Sequence, residues 1–287
     1  MPKETQIIEA EGIAVEISHP EKILYPEAGL SKMDLVRYYT AAWPYLKKFG
    51  MGRPLAIKRY PHGAGGDSFF QKNKPHNAPE WLTSRLLGLE KKADYIILDK
   101  LATLLWLVNL DSLEFHSALV AAPNYDKPNL LAFDLDPPPG STFPEIRDFA
   151  LACRPIIEGF GYRCFAKTSG KRGVHICCPL PAPQSFEQVF NAAKEVATTI
   201  IEKIPGCTLS LKKEDRPDKI LIDIYRNHPY QLMVLPYSTR ATPNASVSMP
   251  LSWEELGRLE DAGVFDVGTV VEKLKKGKDE WEEYYPK

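Results

Sequence analysis

The chain has 287 residues, with 36 Lys and Arg against 37 Asp and Glu, long enough for one large or two small domains and too evenly charged overall to betray a polyanionic partner. Its five cysteines are odd in number and lack Cys-x-x-Cys spacing, which argues against a disulfide framework or zinc ribbon and for a reducing cytoplasm. Met1–Thr5 opens no apolar signal core, and no apolar run approaches the roughly 20 residues of a membrane-spanning helix.

Ser31 followed by Asp34 marks a helix start, and Leu35, Val36, Tyr39, Trp43 and Leu46 continue at helical spacing toward Gly50, with Pro44 expected to kink or end the helix. Leu55 to Tyr60 reads as a strand, then a glycine-rich turn over His62 to Asp67 leads into Ser68 to Asn73. Ala93 to Leu98 and Leu113 to Leu119 read as strands around a buried helix face of Leu101, Leu104, Leu105 and Val108. The centre alternates: strand Leu130 to Asp136, helix Pro144 to Gly159, strand Tyr162 to Thr168, strand Val174 to Pro179, and a helix from Ser185 to Ile204 with Gln188 completing a capping box. Strands Thr208 to Leu211 and Lys219 to Tyr225 follow, then a helix capped by Ser252 and Glu255 and ended by Gly263. The class is α+β with mixed sheets.

Charge is uneven despite its balance. Lys47, Lys48, Arg53, Lys58, Arg59, Lys72 and Lys74 face only Asp67 between Pro44 and His76, while the tail from Ser252 is acid-rich. Such a basic stretch fits either a nucleic-acid surface or an ordinary solvated face.

Asp134 and Asp136 alternate with Leu131, Phe133 and Leu135, so a strand aims both carboxylates to one side. At roughly 7 Å they repel by about 2 kcal/mol at an effective dielectric of 20. A partly buried pair calls for a divalent cation such as magnesium or manganese, whereas a solvated strand end needs none. Asp223 interrupts the apolar run Lys219 to Tyr225 and needs a partner, either shared cations or a salt bridge to Arg226 or Arg216. Asp223 and Arg226, three apart, fall on opposite faces of a straight strand, so a twist or turn after Tyr225 is required if they share a site. Thr168 to His175 joins two strands through a glycine-flanked basic turn. Its backbone N–H groups, Ser169, Lys171 and Arg172 suit phosphate, but the spacing is not that of a Walker loop and an ordinary polar hairpin reads equally from it.

The order of acidic pair, glycine-basic turn ending in His175, and third strand acid resembles the archaeo-eukaryotic primase superfamily. More closely, the segments His19 to Pro26, Leu30 to Asp34, Ile57 to Tyr60, Phe69 to Lys72, Leu113 to His116, Phe133 to Pro137, Thr168 to Gly170 and Pro236 to Arg240 resemble the polymerase domain of bacterial ligase D, over nearly the full length. The resemblance implies a primase-like α+β catalytic core with mixed and antiparallel sheets flanked by helices. It implies one catalytic domain over residues 1–287: a DNA-binding part to about 110, a metal and nucleotide core over about 111–245, and a helical segment over about 250–287.

By that resemblance Asp134, Asp136 and Asp223 hold two catalytic ions, manganese or magnesium, with His116 beside them. Lys58, Ser169, Lys171, His175, Arg226 and Arg240 grip the nucleotide triphosphate. Lys22 and Lys32 hold a DNA 5′-phosphate, and one of Phe69 and Phe70 stacks on the templating base; apart from the resemblance, core packing is the alternative reading of these rings and suits one of the two. His19 stands where many relatives have asparagine, and Lys171 where they have glycine, which bears on 5′-phosphate and triphosphate binding respectively.

The implied activity is template-directed nucleotide addition at DNA gaps and double-strand breaks, with ribonucleotides preferred. Nucleoside triphosphates, a separate ligase and a Ku-like end-binding protein are the implied partners, and the nucleoid the implied location. Two rivals remain: a manganese glycosyltransferase using the Asp-x-Asp pair, and a DNA-end-binding module without turnover. A phosphatase of the haloacid-dehalogenase type fits less well, because Pro137 follows the acidic pair.

Overall fold

The computed structural model describes residues 5–182 and 184–284. They form two compact units whose segments interleave along the chain: unit 1 takes residues up to Ser117, Val234–Ser248 and Gly263–Asp279, and unit 2 takes Ala118–Met233, Met249–Ala262 and the residues from Glu280. Among the described residues no helix is long and apolar enough to cross a membrane.

Unit 1 opens with a hairpin of β1 (Thr5–Ala10) and β2 (Ile13–Ser18), which the sequence reading missed, and a short pair, β3 (Ile23–Tyr25) with β4 (Leu30–Ser31). Helix α1 (Lys32–Gly50) begins as expected: Asp34 N–H donates to Ser31 Oγ at 3.2 Å while Ser31 N–H donates to Asp34 Oδ2 at 2.9 Å. Pro44 does not end it. Leu35, Val36, Tyr39, Ala42, Trp43 and Leu46 bury one continuous face, which outweighs the single backbone hydrogen bond a proline removes.

Strand β5 (Pro54–Arg59) pairs antiparallel with β6 (Phe69–Gln71), β8 (Ala93–Ile97) and β9 (Ser112–Ser117), and β7 (Ser84–Leu87) extends the sheet beyond β8. Helix α2 (Leu101–Asn109), apolar nearly all round, is buried against α1, β2 and β9 as its leucines require.

Unit 2 is built on the sheet order β13-β14-β10-β12-β11-β16. Its strands are β10 (Leu130–Asp136), β11 (Phe165–Thr168), β12 (Val174–Pro179), β13 (Cys207–Thr208), β14 (Ile220–Asp223) and β16 (Pro250–Leu251); the short β15 (Met233–Val234) lies where the chain passes from unit 2 to unit 1. All pairings in this sheet are antiparallel except β13 with β14. Helices α3 (Phe143–Gly159) and α4 (Phe186–Lys203) pack together on it, α4 starting at the expected Ser185–Gln188 box. All five cysteines are buried in this unit and none of them is in a disulfide.

Three sequence expectations are corrected here. The strand expected over Thr208 to Leu211 stops at Thr208, since Ser210 and Lys212 turn the chain by bonding to nearby side chains. The strand expected from Tyr162 begins only at Phe165. The helix capped by Ser252, α5 (Trp253–Gly257), ends at Gly257 instead of Gly263, and a second one, α6 (Val267–Lys275), follows in unit 1 with its own cap, Asp266 accepting from Thr269 N–H. Tyr45 Oη of α1 donates to Leu274 O of α6 at 3.1 Å.

Candidate functional site: a carboxylate row in unit 2 and basic clusters in unit 1

Strand register builds the centre of unit 2. Lys167 on β11 lies directly opposite His175 on β12, His175 opposite Asp134 on β10, and Asp134 opposite Asp223 on β14. Residues paired across antiparallel strands share a face, with Cβ atoms about 5 Å apart. The four therefore form one line across four strands, and Asp136, two residues on from Asp134, joins the same face. One oxygen from each of Asp134, Asp136 and Asp223 lies within 4.8 Å of the others.

The turn anticipated after Tyr225 occurs earlier. β14 stops at Asp223, Ile224 takes a helical conformation, and a 3₁₀ turn over Tyr225–Asn227 swings Arg226 back over the acids. Its Nε stands 3.0 Å from Asp134 Oδ2 and 3.2 Å from Asp223 Oδ2. Asn227 makes the turn possible. Its carboxamide accepts from Ala132 N–H at 2.9 Å and donates to Ala132 O at 2.7 Å and Ile224 O at 2.8 Å, taking over the ladder bonds that β14 abandons.

Environment separates the carboxylates. Burial alone would raise Asp134, but His175 Nε2 at 3.1 Å and Arg226 overcome it and hold the group well below the usual carboxylate range. At Asp136 burial, then the charge of Asp134, outweigh the opposing Arg226 and push the group up to about 6, with Asp223 adding to the rise. Burial also raises Asp223, with Arg226 opposing. Three oxygen donors, held together with one arginine for relief, are the donor set a hard divalent ion selects.

The Thr168–His175 turn closes on β10. Ser169 Oγ accepts from Gly173 N–H at 3.0 Å and from Lys171 N–H at 3.2 Å. Gly173 has no alternative there, because a Cβ would meet Leu135 O at 2.6 Å. The side chains of Lys171 and Arg172 are exposed, and Arg172 Nη2 donates to Pro137 O at 3.2 Å. A cavity of about 510 Å³ opens beside Asp136, lined by Pro137 to Pro139, Arg172, Lys213 and Arg216. Arg216 Nε is buried there without a hydrogen-bond partner.

Unit 1 holds the other expected residues. Glu114, nearly fully buried, is their hub: its Oε2 stands 3.1 Å from His116 Nε2 and 3.3 Å from Arg240 Nε, and its Oε1 accepts from Tyr60 Oη at 3.3 Å. Lys58 lies opposite both Glu114 and Phe70 in the sheet, with its Nζ 5.2 Å from the Tyr60 ring centroid and 5.6 Å from that of Phe70. The Phe70 ring meets His116 edge-on at 5.3 Å, and Arg59 stands over Phe69 at 5.3 Å. Neither phenylalanine packs in the core, contrary to the expectation for one of them: Phe69 is 46% and Phe70 55% exposed.

Lys22 and Lys32 converge on Asp111, at 2.5 and 3.0 Å. Lys32, 2% exposed, also donates to Ser18 O and Asn109 O, whereas Lys22 keeps part of its stem in solvent and donates to Pro61 O. His19 adopts a left-handed conformation (φ 50°), one that asparagine and histidine tolerate better than most residues.

Sequence reasoning missed Lys167, Lys213, Asn227, Glu114 and Asp111 as parts of these clusters. For Lys167 a signal existed, since it shares strand parity with Ser169. For Asn227 and Asp111 none did.

The profile of the family described as LigD, primase-polymerase domain, matches residues 31–281. The chain belongs to that family. A bifunctional non-homologous end joining protein LigD of Bacillus subtilis is 30% identical over 258 residues, 89% of this chain and 42% of that protein. A multifunctional LigD of Mycobacterium bovis is 31% identical over 252 residues, 84% of this chain and 33% of its own length. This LigD-type chain thus spans well under half the length of these relatives. The polymerase domain of Mycobacterium tuberculosis ligase D in complex with DNA superposes with a TM-score of 0.86 at 28% identity, covering 93% of this chain and 96% of that one. The α+β class with mixed sheets agrees with that likeness.

Proposed function

We propose that this LigD-type chain is a metal-dependent, template-directed nucleotidyltransferase that fills gaps and extends 3′ ends at DNA breaks, with ribonucleotides preferred. The convergence of Asp134, Asp136 and Asp223 carries the reading, because three oxygen donors around one point fit a pair of divalent ions, manganese or magnesium. Bound there, such ions would lower the pKa of a primer 3′-hydroxyl and neutralise charge on departing phosphates. The O3′–Pα bond forms, the bond from Pα to the bridging oxygen breaks, and pyrophosphate leaves.

The chain's own residues prepare that step. Asp134 stays ionised through His175 and Arg226, so at least one carboxylate is an anion at any working pH. Arg172, Lys213 and Arg216 line the cavity beside Asp136 and offer donors to a polyphosphate, Arg216 Nε being short of a partner. In unit 1, exposed Phe70 beside Lys58 suits a nucleobase with its phosphate, and Lys22 with Lys32 suits a terminal 5′-phosphate. The likeness to a polymerase domain solved with DNA supports the same substrate here. A ligase and a Ku-like protein acting at the same ends, and work at the nucleoid, follow from this reading.

The deciding experiment is extension of a gapped, 5′-phosphorylated duplex with ribo- or deoxyribonucleotides, in manganese, magnesium or chelator. Incorporation that needs a divalent ion and disappears in Asp134→Ala, with duplex binding retained, is the expected outcome. DNA binding without incorporation under every condition would leave a binding module instead.

A further inference from the structure

Lys167 stands at the end of the carboxylate row with no exposed surface. An ammonium shut away from water must aim its three N–H donors at acceptors, and it has no acceptor of its own. One donor is spent on a group that can present itself in two ways: Nζ lies 2.9 Å from His175 Nδ1. Because a charged lysine only donates, Nδ1 must accept. The ring proton of a neutral imidazole then sits on Nε2, which is 3.1 Å from Asp134 Oδ1 and donates to it. The opposite tautomer would set N–H against N–H at Lys167 and a lone pair against a carboxylate at Asp134, repulsive at both ends.

We propose that Lys167 is a positioning residue that locks His175 as its Nε2–H tautomer and fixes the ring plane, so that His175 serves Asp134 as an oriented hydrogen-bond donor. The register makes the device rigid. Lys167, His175 and Asp134 are successive cross-strand neighbours, so no loop intervenes between the lysine and the acid it orients. The outcome at Asp134 is specific: Oδ1 is engaged by His175 and Oδ2 by Arg226, which sets the carboxylate plane and the directions of its remaining lone pairs. The importance for chemistry rests on the reading of Asp134 as a metal ligand; the tautomer does not.

The test is nitrogen-15 NMR of histidine-labelled protein, with the His175 resonances assigned from His175→Gln. The unsubstituted protein should show a protonated Nε2 and an unprotonated Nδ1. Lys167→Met, folded by circular dichroism, should lose that preference and show the Nδ1–H form, and Lys167→Arg, which can still donate, should keep Nε2–H. Incorporation and divalent-ion affinity should fall about 10- to 100-fold in the Met variant, the range for residues that orient metal ligands, and recover in part in the Arg variant.

A protonated Nδ1 in the unsubstituted protein overturns the proposal, as does an unchanged spectrum in the folded Met variant. Should Met at 167 prevent folding, Lys167→Gln makes the same comparison, its amide group being a shorter donor whose tautomer preference must weaken. Absence of polymerase activity in the unsubstituted protein would remove the proposed function and leave the NMR result standing, so the two failures are separable.

Discussion

Asp136→Asn should make the metal-free protein more stable at pH 7.5 and weaken its response to divalent cations. Burial and the neighbouring charges of Asp134 and Asp223 lift this carboxyl from an ordinary 3.8 to about 6. At 1.36 kcal/mol for each tenfold change, that displacement amounts to about 3 kcal/mol against the folded state once the group is ionised. The side chain is partly open to solvent, and screening reduces the figure to about 1–2 kcal/mol. The folded state keeps its proton to higher pH than the unfolded chain does. This group's contribution therefore falls as pH rises from about 4 to about 6, and the penalty is complete above that window. An amide has nothing to ionise, so the variant should gain about 1–2 kcal/mol over the parent at pH 7.5 and almost nothing at pH 4.

Urea titrations in chelator at pH 4, 6 and 7.5 measure this. Repeating them with manganese should stabilise the parent by about 2.7 kcal/mol at a hundredfold excess over the dissociation constant, and the variant by much less. An equal gain at all three pH values, or none at pH 7.5, would refute the reading that burial beside two other acids destabilises ionised Asp136.

Asn227→Ala leaves the buried N–H and C=O of Ala132 without partners and should cost about 2–4 kcal/mol in urea unfolding; a loss under about 1 kcal/mol would show that the carboxamide is not what holds the Arg226 turn. Phe70→Ala, at an exposed position, should change stability by no more than about 0.5 kcal/mol yet weaken primer-template binding by about 1–3 kcal/mol in fluorescence anisotropy, and unchanged binding would assign the ring another role. Lys22→Ala should weaken binding to a gapped duplex more when the downstream strand carries a 5′-phosphate. Equal losses on both duplexes would make it a general cation. Lys32→Ala is the poorer probe, because it leaves Asp111, Ser18 O and Asn109 O without their buried donor and should lower the urea midpoint as well.

Much of this site could be read from local pattern. Alternation placed Asp134 and Asp136 on one face of β10, and an acid inside an apolar run singled out Asp223, because both signals depend only on residues adjacent in the chain. What joins them does not. The pairing of Asp134 with His175 and Asp223 depends on register between segments some 40 and 90 residues apart, which no local periodicity encodes, and so the part played by Lys167 stayed hidden inside what looked like an ordinary strand. Asn227 was equally invisible, since a side chain standing in for a strand has no sequence signature. Pro44 misled because a local rule met a strongly buried helix face. The C-terminal helices were misjudged because Gly257 ended the first one before Gly263 could.

The lateral row in unit 2 also ties chemical competence to correct pairing. A shift of β12 by a single position would turn His175 to the reverse side of the sheet, carry Lys167 out of reach of any imidazole, and leave Asp134 with one cation in place of two contacts. If the three acids hold a divalent ion as proposed, its uptake would report the properly zipped protein, and a preparation that folds compactly without the parent's ion uptake would point to slipped strands before any assay of nucleotide addition is run.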